Sequence, residues 1–198
     1  MQELLIATKN PGKYSEIMEV VGGLDYEFIF LGDLDLEDGD FEEDGETFEE
    51  NAKKKAQYYH EKTGFLSLAE DSGIVVNALR GELGLKTRRW GAGENATDEE
   101  WIEFFMNRMK EEEERKAKFV CAACVFGFGN EEYFRGETHG TITASLQAPI
   151  LKGLPLSSCF LPNGQERVYA ALEAQEKNEI SHRGKAIFAV RDFLADLG

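Results

Sequence analysis

The sequence predicts an α/β protein, because short apolar runs typical of strands alternate along the chain with segments of helical periodicity. An apolar run, Leu4 to Ala7, is followed by Ile17, Val20 and Val21 on one helical face. The composition, 42% hydrophobic and 30% charged over 198 residues, is typical of a globular protein. This length predicts one sizeable domain or two small lobes.

The charge and the cysteine content exclude several classes of protein. A net charge of −16 argues against a nucleic-acid partner, and a polyanionic small molecule would need a local basic pocket. No apolar run reaches the length of a membrane span, and the first ten residues lack the features of a signal peptide, so we expect no membrane association and a cytoplasmic location. Three cysteines, an odd number, argue against a disulfide framework.

The junction between the first strand and the first helix is a candidate anion site. Asn10 is a good N-cap and Pro11 suits the first helical position, so the helix should begin at the edge of the sheet. Unpaired N–H groups and the positive end of the helix dipole would attract an anion there, beside Thr8, Lys9 and Lys13. The Walker A spacing is absent, and a plain capped helix would look similar.

A second strand is predicted at 26–31, and an acidic segment without Lys or Arg follows from Asp33 to Glu50. Most of its carboxylates fit a solvated loop, but Glu43 could enter a cleft and supply an oxygen ligand to a cation. Thr47 then opens a helix with a capping box. Of the three lysines that follow, Lys55 is the best candidate for the cleft because it shares a face with Phe48 and Asn51, although three solvated lysines are an equal alternative.

The segment Leu66 to Val76, LSLAEDSGIVV, is predicted to be a core strand that ends in a turn at Ser72 and Gly73. The adjacent carboxylates Glu70 and Asp71 would then lie at the rim of the sheet. Carboxylates in such a position can hold a divalent cation or activate water. The alternative is a turn in which Asp71 caps its own backbone.

The second half of the chain adds a basic loop at 86–93, a helix capped by Thr97, and a β-hairpin of 119–128 with 132–144. Trp101 belongs to a broad apolar face of that helix, which predicts core or dimer interface rather than a ligand stack. Strand geometry places Cys121 and Cys124 on opposite faces, so buried core cysteines are favoured over a metal or redox pair.

The irregular, proline-containing segment 148–164 is a candidate binding loop. Two helical patterns follow it, and Ser181 is predicted to cap the second. His182, Arg183 and Lys185 at the start of that helix oppose its dipole, which indicates an anionic or carbonyl ligand.

Five motifs together resemble the inosine triphosphate pyrophosphatases, which act on deaminated purine nucleoside triphosphates. They are IATKNPGK, EDGETFEENAKKKA, LAEDSGIVVNAL, LGLKTRRWGAG and EKNEISHRGKA, in the order and spacing of that family. The resemblance covers nearly the whole chain and implies a single domain, 1–198, with an elongated mixed-sheet α/β fold, flanking helices and two lobes around a central cleft. It also implies Mg²⁺ dependence, a homodimer, and hydrolysis of a nucleoside triphosphate to the monophosphate and pyrophosphate.

The resemblance also implies roles for individual residues. Asp71 would activate water, with Lys55 as the second catalytic residue, and Glu43, Glu70 and Asp71 would hold the metal. The substrate would be bound by residues from five parts of the chain: Thr8, Lys9, Asn10, Lys13, Lys55, Ser72, Ser157, Lys177, His182 and Arg183. Among these, Lys177, His182 and Arg183 would read the base, and the last two are donors suited to a purine 6-keto oxygen.

One segment departs from the family pattern. The family usually has aromatic-Gly-aromatic-Asp-Pro before a Cys-Phe or Ile-Phe pair, whereas this chain has Leu154 to Ser158 before Cys159 and Phe160. A carboxylate that helps to read the base is thus replaced by the hydroxyl of Ser157. The alternatives are therefore the same cleavage on another modified or pyrimidine nucleotide, or a nucleotide-binding protein without turnover.

Overall fold

The computed structural model describes residues 2–36, 43–93 and 95–197. Within these ranges the chain forms a six-stranded sheet with strand order β2-β1-β3-β4-β5-β6. The strands are β1 (Gln2–Ile6), β2 (Tyr26–Phe30), β3 (Leu66–Val76), β4 (Lys116–Phe126), β5 (Glu131–Ile142) and β6 (Phe160–Pro162). β1 pairs in parallel with β2 and β3, and the remaining pairs are antiparallel, so the predicted mixed sheet is confirmed.

Five α-helices flank this sheet in the described residues. They are α1 (Pro11–Val21), α2 (Phe48–Thr63), α3 (Asp98–Arg108), α4 (Ala174–Ile180) and α5 (His182–Leu197). The predicted N-caps are present: Asn10 accepts from the start of α1, Thr47 from Glu50 N of α2, and Ser181 from Gly184 of α5. The capping box predicted at Thr47 is wrong in its second half, because the Glu50 side chain accepts from Glu46 N instead of Thr47 N. None of the helices in the described part of the chain is long and apolar enough to cross a membrane.

The long strands β3 and β4 run through two separate packing regions. Leu66 and Leu68 of β3 pack with α1 and α5, whereas Ile74 and Val76 of the same strand pack with α3. A third cluster lies between α2 and the other face of the sheet. This division into two lobes fits the expected elongated fold.

Cys121 and Cys124 lie where the sequence predicted. Both are buried free thiols on β4, and they belong to different clusters on opposite faces of the sheet. The pattern of residues along one strand was sufficient for this prediction, because alternate residues face opposite sides.

Candidate active site

The central cleft begins where β1 ends. β1 stops at Ile6 and pairs only with the first residues of β3, up to Leu68. The next backbone bond, from Ala7 N to Leu68 O at 2.8 Å, closes this ladder. Beyond it the chain of β1 turns into α1, while β3 continues with Glu70 and Asp71. The phosphate-turn candidates and the paired carboxylates therefore meet at one edge of the parallel strands.

The predicted turn at Ser72 and Gly73 is wrong. β3 runs unbroken to Val76, because β4 pairs with it along nearly its whole length, including Ser72 with Cys121 and Gly73 with Val120. Gly73 is required for a different reason: a Cβ there would lie 2.2 Å from the carbonyl oxygen of Gly84. The glycine thus permits close approach of another backbone rather than a turn.

Glu70 and Asp71 have different surroundings, since adjacent residues on a strand face opposite sides. The Glu70 carboxylate is buried and contacts Lys13 Nζ at 2.5 Å, Arg183 Nε at 3.5 Å and the Cys121 thiol at 3.3 Å. Burial opposes ionisation of Glu70, but Lys13 and Arg183 outweigh it and hold the pKa of this carboxyl well below its usual value. Glu70 therefore remains a carboxylate that holds two cations in place.

Asp71 has no such cationic contact in the described residues. Its Oδ2 accepts a hydrogen bond from Asn51 Nδ2 at 2.9 Å, and its Oδ1 accepts one from Ser72 N at 2.9 Å. The second bond is the cap on its own backbone that the sequence pattern indicated as the alternative role of Asp71. Burial raises the pKa of Asp71, and the nearby charges of Lys13 and Lys55 only partly oppose this. A buried carboxylate with a raised pKa is suited to accept a proton.

Lys55 and Glu43 form an ion pair at the mouth of the cleft. Lys55 Nζ also lies 3.4 Å from the backbone oxygen of Glu70. Burial opposes protonation of Lys55, but Glu43 outweighs it and raises the lysine pKa. Lys53 and Lys54 instead pair with Glu131 and Asp44, so the helical phase correctly singled out Lys55.

The loop that carries Glu43 is held by the elements beside it. Arg89 donates to the Glu43 backbone oxygen at 3.2 Å, and Gly45 N donates to Asn51 Oδ1 at 2.8 Å. Asn51 therefore binds both this loop and Asp71. We expected Glu43 to enter the cleft, and its placement beside Lys55 agrees with that expectation.

The start of α1 differs from the expected set of unpaired amides. Asn10 Oδ1 accepts from both Gly12 N (2.9 Å) and Lys13 N (3.1 Å), so these two donors are already used. Asn10 Nδ2 donates to Gly153 O at 2.9 Å, which ties the turn to the 148–164 segment. The cation of Lys13 and the hydroxyl of Thr8, rather than these amides, are the groups at this point that can meet an anion.

The other end of the cleft contains the residues predicted to read the base. His182 is buried and stacked on Phe119, with ring centroids 4.5 Å apart. Burial, with a contribution from Arg183, lowers the His182 pKa well below its usual value, so the imidazole is neutral. Lys177 Nζ lies 3.5 Å from Ser157 Oγ, and Arg183 donates to Ser72 Oγ at 3.0 Å.

Glu16 of α1 holds the two cations of this end. Its carboxylate pairs with both Lys177 and Arg183. Burial opposes ionisation of Glu16, but Arg183 and Lys177 outweigh it and lower its pKa. Sequence reasoning missed this residue, although it lies three positions after Lys13 and therefore on the same helical face.

Two cavities form the cleft, of about 1010 Å³ and 420 Å³, and both are lined by Thr8, Lys9, Glu43 and Lys55. The larger cavity also contains Lys86 and Arg89, which sequence reasoning did not select. The smaller one contains Ser72, Ser157, Lys177, His182 and Arg183. The predicted residues other than Glu70 and Asp71 therefore line one cation-rich cleft, and these two are buried on β3 next to Ser72, within a chain of net charge −16.

No group of three or more His, Cys, Asp or Glu side chains within 2–36, 43–93 and 95–197 is arranged to hold a metal ion. The metal role expected of Glu43, Glu70 and Asp71 therefore stays a prediction. Glu70 is the least suited of the three, since it is already paired with Lys13 and Arg183.

Comparison with known proteins gives a consistent assignment. The sequence model of the Ham1 family matches residues 4–193. A dITP/XTP pyrophosphatase of Geobacter sulfurreducens is 38% identical over 98% of this chain and 97% of its own. One of Staphylococcus aureus is 35% identical over 98% and 97%.

Solved structures agree over the same length. A HAM1 protein of Coxiella burnetii has a TM-score of 0.83 and 31% identity, covering 99% of this chain and 100% of its own. The Staphylococcus aureus Ham1 protein has a TM-score of 0.81 and 33% identity, covering 100% of both chains. With its fold, its cleft and its full-length similarity to these proteins, the chain belongs to the Ham1 family.

Proposed function

We propose that this protein hydrolyses nucleoside triphosphates with deaminated purine bases, such as dITP, ITP and XTP, to the monophosphate and pyrophosphate. The observation that carries the proposal is Asp71, a buried carboxylate that is oriented by Asn51 and adjoins Ser72. Ser72 lines a cleft that also contains the cations Lys13 and Arg183 and a neutral His182. The relatives named dITP/XTP pyrophosphatase support the choice of substrate.

The triphosphate is bound by the cations shared between the two cavities. Lys9 and Lys55 line both cavities, and Lys13 lies beside them. Glu70 and Glu43 hold Lys13 and Lys55 in place before the substrate arrives, so little reorganisation is needed during the reaction. Cations placed along the leaving pyrophosphate stabilise the charge that develops on it.

A Mg²⁺ ion held by the two carboxylates of Glu43 and Asp71 fits this structure better than one held by the predicted set of three. Mg²⁺ is usually bound by one or two carboxylates together with substrate phosphates, which agrees with the lack of a larger ligand group in the described residues. Asp71 is buried without a cationic contact there, and Glu43 lines the adjoining cleft and lies close enough to contribute to the raised pKa of Asp71. When bound, the ion would neutralise phosphate charge and orient the scissile bond.

Asp71 accepts the proton of the attacking water. Its two oxygens are oriented by Asn51 and by the Ser72 amide, which fixes the carboxylate without neutralising it. The raised pKa brings its basicity closer to that needed for proton transfer. Lys55 remains protonated beside Glu43 and can stabilise charge on the phosphates.

The base is read by donors at the other end of the cleft. A 6-keto oxygen accepts hydrogen bonds, whereas the 6-amino group of adenine donates them. Lys177, Arg183 and the neutral His182 can supply donors there. A site built from buried donors rejects a base that cannot accept.

Pyrophosphate release in the presence of Mg²⁺ tests the proposal across ITP, dITP, XTP, the four ordinary nucleoside triphosphates and a few modified ones. We expect kcat/KM for ITP, dITP and XTP to exceed that for ATP by at least about 100-fold. Release of phosphate instead of pyrophosphate would contradict the cleavage position. A maximum on a pyrimidine or another modified base would favour the alternative that Ser157 and its loop suggest, and absence of turnover would favour a binding protein.

A homodimer and a cytoplasmic location also belong to this proposal. Light scattering of the purified chain tests the first, with a mass of twice 22.3 kDa as the expected result.

A further inference from the structure

Trp101 of α3 has an unusual position for a residue of a helical apolar face. Its side chain is only 2% exposed, and it lines the smaller cavity together with Ser157, Lys177 and His182. Its Nε1–H is buried and has no acceptor among the residues that the structure describes. From the sequence, Trp101 was expected to lie in the core or at a dimer interface. In the structure its side chain also borders a cavity.

A buried donor without an acceptor is costly, and buried tryptophans usually find a partner for this group. The indole is also held firmly: Phe105 stacks on it at 5.6 Å with an interplanar angle of 11°, and Trp90 meets it edge-on at 6.2 Å. An acceptor supplied by a ligand in the cavity would remove the cost without moving the ring.

α3 is fixed to the segment that forms the base end of the cavity. Asp98 Oδ2 accepts from Gly153 N at 2.6 Å, and Gly153 O accepts from Asn10 at 2.9 Å. Trp101 is one turn of helix after Asp98. The indole and the Leu154–Ser158 segment therefore have a defined relation to each other before any ligand binds.

The base end offers donors from separate elements and few free acceptors. Lys177 and Arg183 come from α4 and α5, His182 from α5, and Trp101 from α3. Glu16, the carboxylate that lines the cavity beside these donors, already accepts from both Lys177 and Arg183. Ser157 adds a neutral hydroxyl. Such a set suits a base with carbonyl oxygens at two positions better than a base with one.

We propose that Trp101 is a specificity residue, which donates its indole N–H to a second carbonyl of the base and so favours a 2,6-dioxopurine, xanthine, over hypoxanthine. Hypoxanthine has the 6-carbonyl but only C–H at position 2, and it leaves the indole N–H unpaired. This inference rests on the proposed function, because it assumes that a purine occupies the smaller cavity.

Equilibrium binding of α,β-imido analogues of XTP and ITP tests it without turnover. We expect the wild-type protein to bind the xanthosine analogue about tenfold more tightly, as one hydrogen bond of this kind allows. Trp101→Phe keeps an aromatic ring but removes the donor, and should abolish this difference while changing inosine affinity less than about twofold. Phe104→Leu is the matched control: it alters an exposed aromatic of the same helix and should leave the ratio intact.

Equal wild-type affinity for the two analogues would overturn the inference, and needs no variant. If a folded Trp101→Phe protein still prefers the xanthosine analogue, a residue other than Trp101 causes the preference, and the inference is overturned. In both cases the proposed function survives. Failure of the wild-type protein to bind either analogue would instead overturn the proposed function itself.

Discussion

At the scale of single residues, the adjacent carboxylates of Glu70 and Asp71 have opposite pKa shifts because their surroundings differ. Glu70 is neutralised by Lys13 and Arg183, and its pKa is lowered. Asp71 is buried with only hydrogen-bond donors, and its pKa is raised. Two acidic residues that look equivalent in the sequence are therefore suited to different tasks, one to hold cations and the other to take a proton.

Asp71→Asn should reduce kcat for the preferred nucleotide by about 10²- to 10⁴-fold, since the amide cannot accept the proton of water. The uncleavable analogue should still bind within a few-fold of wild type, because Lys13 and Lys55, the proposed phosphate contacts, remain. Asp192→Asn, at an exposed position of α5, is the control and should leave both values unchanged. Full turnover in the Asp71 variant would remove this residue from the mechanism.

At the scale of elements, β3 shows how a long antiparallel partner overrides local turn signals. Ser72 and Gly73 are good turn residues, but β4 pairs with both of them. Gly73 lies against the segment 84–87, whose Thr87 hydroxyl accepts from Ile74 N at 3.0 Å. The glycine allows this segment to cover the strand next to Ser72.

Gly73→Ala should therefore lower the free energy of unfolding by about 1–3 kcal/mol, because the new Cβ would meet the carbonyl oxygen of Gly84 at 2.2 Å. Gly23→Ala is the matched control, since a Cβ there has no heavy atom within 4 Å, and its effect should stay within about 0.5 kcal/mol. Urea unfolding at neutral pH measures both. If the two substitutions change the free energy of unfolding equally, the segment 84–87 moves enough to accommodate the methyl group, and the predicted close contact is not what requires glycine at position 73.

At the scale of the whole molecule, one buried charge cluster joins four elements. Glu16 of α1 pairs with Lys177 of α4 and Arg183 of α5, and Arg183 reaches Glu70 of β3. This cluster forms one wall of the cleft and links the helices at the two ends of the chain. Breaking a buried pair by removing one partner is strongly destabilising, because the other charge remains unpaired.

Glu16→Gln should lower the free energy of unfolding by about 3 kcal/mol at neutral pH. The folded pKa of Glu16 lies below its ordinary value of 4.5, so the stabilisation is present above that value and is lost as the pH falls through the folded pKa. The gap between wild type and variant should thus narrow below pH 4.5. Urea unfolding from acid to neutral pH measures it, with Glu19→Gln, an exposed position of the same helix, as control. A gap that does not change with pH would contradict this account.

The sequence alone determined features that depend on one element. The helical phase selected Lys55, the strand period placed Cys121 and Cys124, and Asn10 and Thr47 marked the helix starts. Most of the residues that the motifs predicted for the site also line the cleft, although Glu70 and Asp71 line neither of its two cavities. Such features follow from the 3.6- and 2-residue periods and from local capping, so no distant partner is needed to predict them.

Only the tertiary structure decided features that need a partner far along the chain. Pairing with β4 keeps β3 extended through Gly73, and the side-chain amide of Asn10 donates to the backbone oxygen of Gly153. The packing around Trp101 leaves its buried indole N–H without an acceptor in the described residues. Glu16 likewise gains its role from α4 and α5. The physical reason is that hydrogen-bond pairing, burial and the resulting pKa shifts depend on which groups come together in space, and local sequence patterns do not contain that information.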